Sequence, residues 1–375
     1  MTGKMRGTVV VLGANAGQAD LIRYLTETGC SVTACSRLAS EPGAKIATRF
    51  VELDVTSIDQ VCALAEAEQA DVVYSVASDI AITAATTVSE RLNLPHFLNS
   101  QLIAMFNNKA ELRRYLNEHS IGTLDYQKVS SVQDAEKWSA FPCVVKPLDS
   151  QGQRGVRKVH NNAELIDAIR ESFAFTSSAS AIVETYVPGT EISCNVLVSE
   201  GAVVVAVFSE RLVHGGAHFG IPAGHLIPPL HVSDEDVRQA RVMVEAVIRS
   251  LGIQNGALYF QLIISDNGPR IVEIAPRLDG CHIWRLIRAA YDINLIDLTI
   301  RRLMGEAIKA PLLRPDPGAI YELMFQQLPT GRAFESRHFP VPADALYHEF
   351  RCDEGQVPAG INGRLEIVGY YVRRQ

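Results

Sequence analysis

Several things are missing from this chain of 375 residues, and each lack narrows its class. It has no Cys-x-x-Cys pair. Its seven cysteines, Cys30, Cys35, Cys62, Cys143, Cys194, Cys281 and Cys352, are odd in number and scattered. That pattern speaks against a disulfide framework and leads us to expect free thiols in a reducing cytoplasm. No run approaches the roughly 20 apolar residues of a membrane span, so no membrane partner is expected. The apolar stretch 9–12 behind Lys4 and Arg6 is shorter than the roughly 7–15 residues of a secretory core, so a first β-strand is expected there. Dense Lys/Arg blocks are absent and the net charge is −7, which argues against a nucleic-acid surface. No repeat period appears. The turn 13–17 holds only Gly13 and Gly17, short of the Gly-x-Gly-x-x-Gly dinucleotide fingerprint.

What is present is a globular composition, 47% hydrophobic and 21% charged, long enough for two or three domains. Apolar runs at 8–12, 31–35, 51–53 and 72–76 read as strands. Helical periods near 21–28, 57–67 and 81–92 separate them, predicting a parallel sheet with helices on its faces. Further on, the pattern predicts helices at 108–119, 164–172 and 234–251. Strands are expected at 141–147, 181–187, 192–198 and 202–209, with a hairpin of 257–264 and 270–275. The last part carries short strands near 346–351 and 365–372. The expected fold is α/β, becoming α+β after the first sheet. Its units are residues 1–105, 106–188, 189–310 and a small β-rich unit, 311–375.

Three stretches carry chemistry. Lys146 ends the apolar strand Cys143-Val144-Val145-Lys146-Pro147, and burying an unpaired ammonium costs several kcal/mol. A polyphosphate would be its partner, and the loop from Ser150 through Gly152 to Gly155 could bring backbone N–H groups to phosphate oxygens. The alternative is a solvated lysine at a strand edge. Next, Glu184 interrupts an apolar strand and could accept from an adenine amino group, with Glu191 past the Pro188-Gly189 turn taking ribose hydroxyls. Exposed carboxylates at a sheet edge are the alternative. Third, a hairpin loop centred on Asn267 sets Gln261 opposite Glu273, with Cβ atoms about 5 Å apart. Such a pair could hold a hard cation, and Arg277 could grip a phosphate or carboxylate. A Glu–Arg ion pair beside a glutamine is the other reading.

The order and spacing of these residues over 8–310, most closely over 109–280, resemble the ATP-grasp superfamily of carboxylate–amine/thiol ligases. The resemblance implies a Rossmann-like domain before two ATP-grasp subdomains. It implies phosphate contacts from Lys109 and Lys146, and a closing loop at Ser150, Gly152 and Gly155. Glu184, Tyr186 and Val187 would line the adenine site, with Glu191 at the ribose. Gln261 and Glu273 would hold Mg²⁺, or Mn²⁺ in its place, and Arg277 would steady the transferring phosphoryl group. Two departures stand out: many members carry Glu at the place of Gln261 and Asn at that of Ala275. Gln at the first position resembles carbamoyl-phosphate-synthetase-type members, while 273–277 resembles amino-acid ligase members.

The chemistry so implied is phosphorylation of a small carboxylate, an amino acid or related metabolite, by ATP, followed by attack of an amine on the acyl phosphate. Candidate substrate residues are Arg211, His218 and His225 in the segment 210–229, and Asp279, Gly280 and Cys281 after Arg277. His282 is a candidate general base. A bicarbonate-activating enzyme and a nucleotide-binding regulatory protein without catalysis are the competing readings. A homodimer is expected from symmetry base rates.

Overall fold

In the computed structural model, residues 6–176, 178–314, 316–358 and 363–375 are described. The chain opens with β1 (Thr8–Leu12), α1 (Ala16–Thr28), β2 (Ser31–Ser36), α2 (Pro42–Ile46), β3 (Arg49–Glu52), α3 (Ile58–Ala67), β4 (Val72–Tyr74) and α4 (Asp79–Leu92). The four strands are parallel in the order β3-β2-β1-β4. The fully buried run Val9–Leu12 explains the continuous apolar pattern, because helices cover both faces. Gly29, at φ 97°, closes α1 in the left-handed region that a side chain would resist.

Two helices, α5 (Ser100–Asn107) and α6 (Lys109–Glu118), lead into a second sheet. Its elements are β5 (Tyr126–Val129), α7 (Val132–Ala135), β6 (Cys143–Pro147), β7 (Arg157–Val159), α8 (Asn162–Phe173) and β8 (Ala181–Thr185), with strand order β5-β8-β6-β7. Its core lies around Val145, Val183, Ile169 and Trp138. The expected unit boundary at 106 differs from the packing. Leu112 and Leu116 of α6 belong to the core beneath the third sheet, with Phe260 and Val244.

That third sheet has eight strands in the order β13-β12-β9-β10-β11-β14-β16-β15. They are β9 (Thr190–Ser199), β10 (Ala202–Val213), β11 (Pro222–Ile227), β12 (Gly256–Ser265), β13 (Gly268–Ala275), β14 (Tyr321–Pro329), β15 (Ala345–Phe350) and β16 (Leu365–Arg374). Helices α9 (Asp234–Ser250), α10 (Ile283–Tyr291) and α11 (Leu295–Leu303) pack on it. Two features go beyond the expected elements. The segment 210–229 contains the end of β10 and all of β11. The strands of the expected β-rich unit 311–375 extend the large sheet.

The period of two decides what this sheet does. Ile192, Cys194, Val196, Phe208, Leu258, Phe260, Leu262 and Ile274 point to the core with α9. The intervening residues Glu191, Ser193, Asn195, Ser209, Arg211, Tyr259, Gln261 and Glu273 point the other way and make a polar floor. At the far end of the same strands, Leu197, Val205 and Ala257 pack with Leu21, Leu25 and Trp284, joining the first domain to the large sheet.

Candidate active site

Between the second sheet and the polar floor lies a cleft of about 670 Å³, lined by Lys146, Glu184, Tyr186, Val187, Glu191, Gln261 and Val272. It continues into a cavity of about 240 Å³ bounded by Lys109, Arg211, Glu273, Arg277, Asp279 and Arg351. Lys146 and Gln261 border both spaces.

The pairing of β6 with β8 brings Lys146 and Glu184 together. Val144 lies opposite Glu184, so Lys146, two residues on, is its diagonal neighbour on one face. Lys146 Nζ donates to Glu184 Oε2 at 2.6 Å, and Arg113 Nε donates to the other oxygen at 2.5 Å. Neither sequence alternative for Glu184 holds in full: it is buried, not an exposed edge carboxylate, and it already has two cationic partners. Burial alone would raise its pKa, but Arg113 and Lys146 outweigh that and hold it at about 2. Arg113 also donates to the carbonyl of Val272 at 2.7 Å, tying α6 to both sheets.

Lys109 donates to the carbonyl of Ser150 at 2.7 Å, which anchors the loop behind β6. Burial lowers the Lys109 pKa, opposed by the Glu273 carboxylate and helped by Lys146. The loop needs left-handed backbone at Gly152, Gln153 and Gly155. A Cβ at Gly155 would come within 2.8 Å of Phe175 and Pro147, so glycine is required there.

Gln261 does sit opposite Glu273, though not for the reason the sequence suggests. The turn pairs Ser265 with Gly268, and that register would set Gln261 against Val272. A bulge between the pairs Gln261–Glu273 and Leu262–Ile271 shifts the partner by one residue. Gln261 Nε2 donates to Glu191 at 2.8 Å, leaving its carbonyl oxygen as the atom available to a cation. Glu191 also receives Arg211 Nη1 at 2.6 Å. Glu273 makes no ion pair within 4.0 Å among the described residues. A carboxylate without a protein partner, facing an amide oxygen among several cations, fits Mg²⁺ held together with nucleotide phosphates. The backbone N–H of Val187 likewise has no acceptor among the described residues, which fits a base at the strand edge.

Arg277 is held by Asp79, at the start of α4, through two bonds of 2.6 Å. Its partner therefore comes from the first domain and is not Glu273. Burial would lower the Arg277 pKa, but Asp79 raises it above the usual value. Asp279 is buried; burial raises its pKa against the pull of Arg277 and Arg211.

Of the remaining candidates, Cys281 borders the inner cavity and His225 lies buried beside it. Gly280 lies in the turn against Ala77. His218 sits in a short 3-10 turn and lines neither space. His282 does not face the cleft and is no base for a substrate there. Its ring is fully buried, stacked on Tyr370 with centroids 4.7 Å apart, and its Nδ1 lies 3.5 Å from Asp20. Burial, only partly offset by Asp20, lowers its pKa to about 4.

Sequence reasoning missed Arg113, Asp79, Tyr259 and Arg351. A signal existed for the first: Lys109, Leu112, Arg113 and Leu116 share one helical face, so Arg113 had to be buried or paired. Asp79 and Arg351 meet the site only through the tertiary fold.

Residues 139–284 match the family model of the ATP-grasp domain. The formate-dependent phosphoribosylglycinamide formyltransferase of Rhodococcus jostii (strain RHA1) is 23% identical over 331 residues, 83% of this chain and 78% of that protein. An uncharacterized protein of Sinorhizobium fredii (strain NBRC 101917 / NGR234), y4rH, is 26% identical over 210 residues, 53% of this chain and 42% of its own length. This chain thus matches less than half of that relative. The L-amino acid ligase from Bacillus licheniformis superposes with a TM-score of 0.81 at 16% identity, over 98% of this chain and 93% of that one, a likeness of fold. The comparisons thus agree on an ATP-grasp domain match over residues 139–284 and, for the whole chain, on a likeness of fold.

Proposed function

We propose that this chain is an ADP-forming ligase. It activates a small carboxylate as an acyl phosphate and passes the acyl group to an amine, forming a C–N bond. One observation carries the reading. Lys146 and Gln261 border both the outer cleft and the inner cavity, so a nucleotide lying in the first would present its terminal phosphate to the second, beside Lys109, Glu273 and Arg277.

A carboxylate does not acylate an amine because its oxygen is a poor leaving group; phosphorylation cures that. The carboxylate oxygen attacks the terminal phosphorus, the bond to the bridging oxygen breaks, and ADP leaves. The amine then attacks the acyl carbon, phosphate departs, and the ammonium proton goes to solvent. The protein positions the partners and neutralises charge on the phosphoryl oxygens. Lys146 and Lys109 would serve the phosphates, and Arg277 the acyl phosphate. Gln261 and Glu273 would hold Mg²⁺, which supplies charge neutralisation at the phosphate oxygens. Closure of the Ser150–Gly155 loop would keep water from the acyl phosphate. The L-amino acid ligase neighbour and the small size of the inner cavity favour an amino acid or a similar acid as substrate.

The test is ADP and phosphate release with ATP, Mg²⁺ and pairs of small acids and amines, followed by mass analysis of products. Release that requires both partners and yields an amide supports the proposal. Release driven by bicarbonate alone, or nucleotide binding without turnover for every pair, overturns it.

A further inference from the structure

We propose that His225, Asp279 and Cys281 form a binding site for a divalent cation of the zinc class, with one coordination position open to the inner cavity. A ring nitrogen of His225, a carboxylate oxygen of Asp279 and the Sγ of Cys281 all lie within 4.8 Å of one another. They come from two places in the fold: β11 contributes the histidine, and the turn after β13 contributes the other two.

A second observation points to a ligand. His225 is 0% exposed, and its Nδ1 lies 3.3 Å from the Ser209 hydroxyl. That contact fixes the ring and leaves Nε2, buried and without a partner among the described residues, as the nitrogen free to ligate. Such a hydrogen bond from the far nitrogen is how a ligating imidazole is usually oriented. Asp279 is 5% exposed, and its Oδ2 is likewise buried without a partner among the described residues, while Oδ1 accepts from the backbone N–H of Cys281. Two complementary orphaned ligand atoms in one buried spot are costly unless something occupies it.

The donor set selects the ion. One nitrogen, one oxygen and one sulfur suit Zn²⁺ and its neighbours rather than Mg²⁺. Three protein ligands leave the fourth tetrahedral position vacant, and Asp279 and Cys281 border the cavity that would supply it. The Arg211 guanidinium nearby does not forbid a cation, because Glu191 meets its charge at 2.6 Å. On binding, the Cys281 thiol proton leaves to solvent as the sulfur–metal bond forms. The site differs from that of Gln261 and Glu273, which offers oxygen alone.

The full chain, reduced and stripped by a chelator, is titrated with Co²⁺ and then Zn²⁺. One equivalent of Co²⁺ is expected to give a thiolate-to-cobalt charge-transfer band with tetrahedral ligand-field bands, displaced by Zn²⁺. Cys281→Ser should lose the band, and Cys62→Ser should keep it. The oxygen-only pair cannot give a thiolate band, so Mg²⁺ chemistry does not interfere, and the readout is independent of ligase activity. Should Cys281→Ser not fold, the native chain decides. Zn²⁺ should slow alkylation of Cys281, read by peptide mass, and leave Cys62 unchanged. A missing band, a band that survives Cys281→Ser, or an alkylation rate indifferent to Zn²⁺ overturns the site.

Discussion

The two faces of the large sheet are made by the same strands yet live by different rules. On one face Ile192, Cys194, Phe260 and Ile274 are fully buried against α9, and their contribution is packing. On the other, Glu191 ties Arg211 and Gln261 into a short network, and Glu273 stands beside it at the edge of the inner cavity. On the proposed reading, stability rests on the first face and chemistry on the second, so substitutions on the two should separate cleanly.

The largest stability effect is expected on the apolar face. Phe260→Ala should cost about 3–5 kcal/mol, read as a lowered denaturation midpoint, because it removes a large side chain from a close-packed core. Turnover per folded molecule should change little. On the polar face, Glu273→Gln should cut ADP release by about a hundredfold or more while the melting temperature stays near that of the parent. If Glu273→Gln unfolds the chain, or leaves turnover intact, the division between the faces fails.

A smaller effect separates the two ends of the cleft. Lys146→Ala leaves the Arg113–Glu184 pair in place and removes only the ammonium that borders both spaces. A tenfold weaker Kd for ATP takes about 1.4 kcal/mol from nucleotide-induced stabilisation. The check is the ATP-dependent rise in melting temperature, which should shrink in Lys146→Ala and persist in Glu273→Gln.

Much of this was legible because local pattern and tertiary role coincide. The parallel sheet announced itself through apolar runs with glycine turns. Lys146 and Glu184 stood out as charges inside apolar strands. What escaped was set by long-range geometry. The bulge beside Val272 cannot be counted from residue types, and the right partner for Gln261 emerged only because a misplaced loop centre and an unseen bulge cancelled. Asp79 meets Arg277 across 198 positions of sequence, and Arg351 reaches the cavity only because β15 and β16 extend the large sheet. His282 misled in the other direction. A histidine just past Arg277 looks placed for catalysis, yet the chain turns there through a left-handed residue at φ 57° and buries the ring against Tyr370.

The gentlest test of the comparison is pH. Glu184 belongs to the second sheet, and Arg113 and Lys146 outweigh its burial to depress its pKa from an ordinary 4.5 to about 2. A carboxylate depressed on folding contributes stability that is fully present above its unfolded pKa and lost as pH falls through the folded value. Its contribution should therefore fade between about pH 4.5 and pH 2. Glu184→Gln should flatten that part of the acid limb of the stability curve, measured by denaturant unfolding at stepped pH. An unchanged acid limb in Glu184→Gln would mean that the buried triad of Arg113, Glu184 and Lys146 does not lock the second sheet to α6, and that the cleft is held open by packing alone.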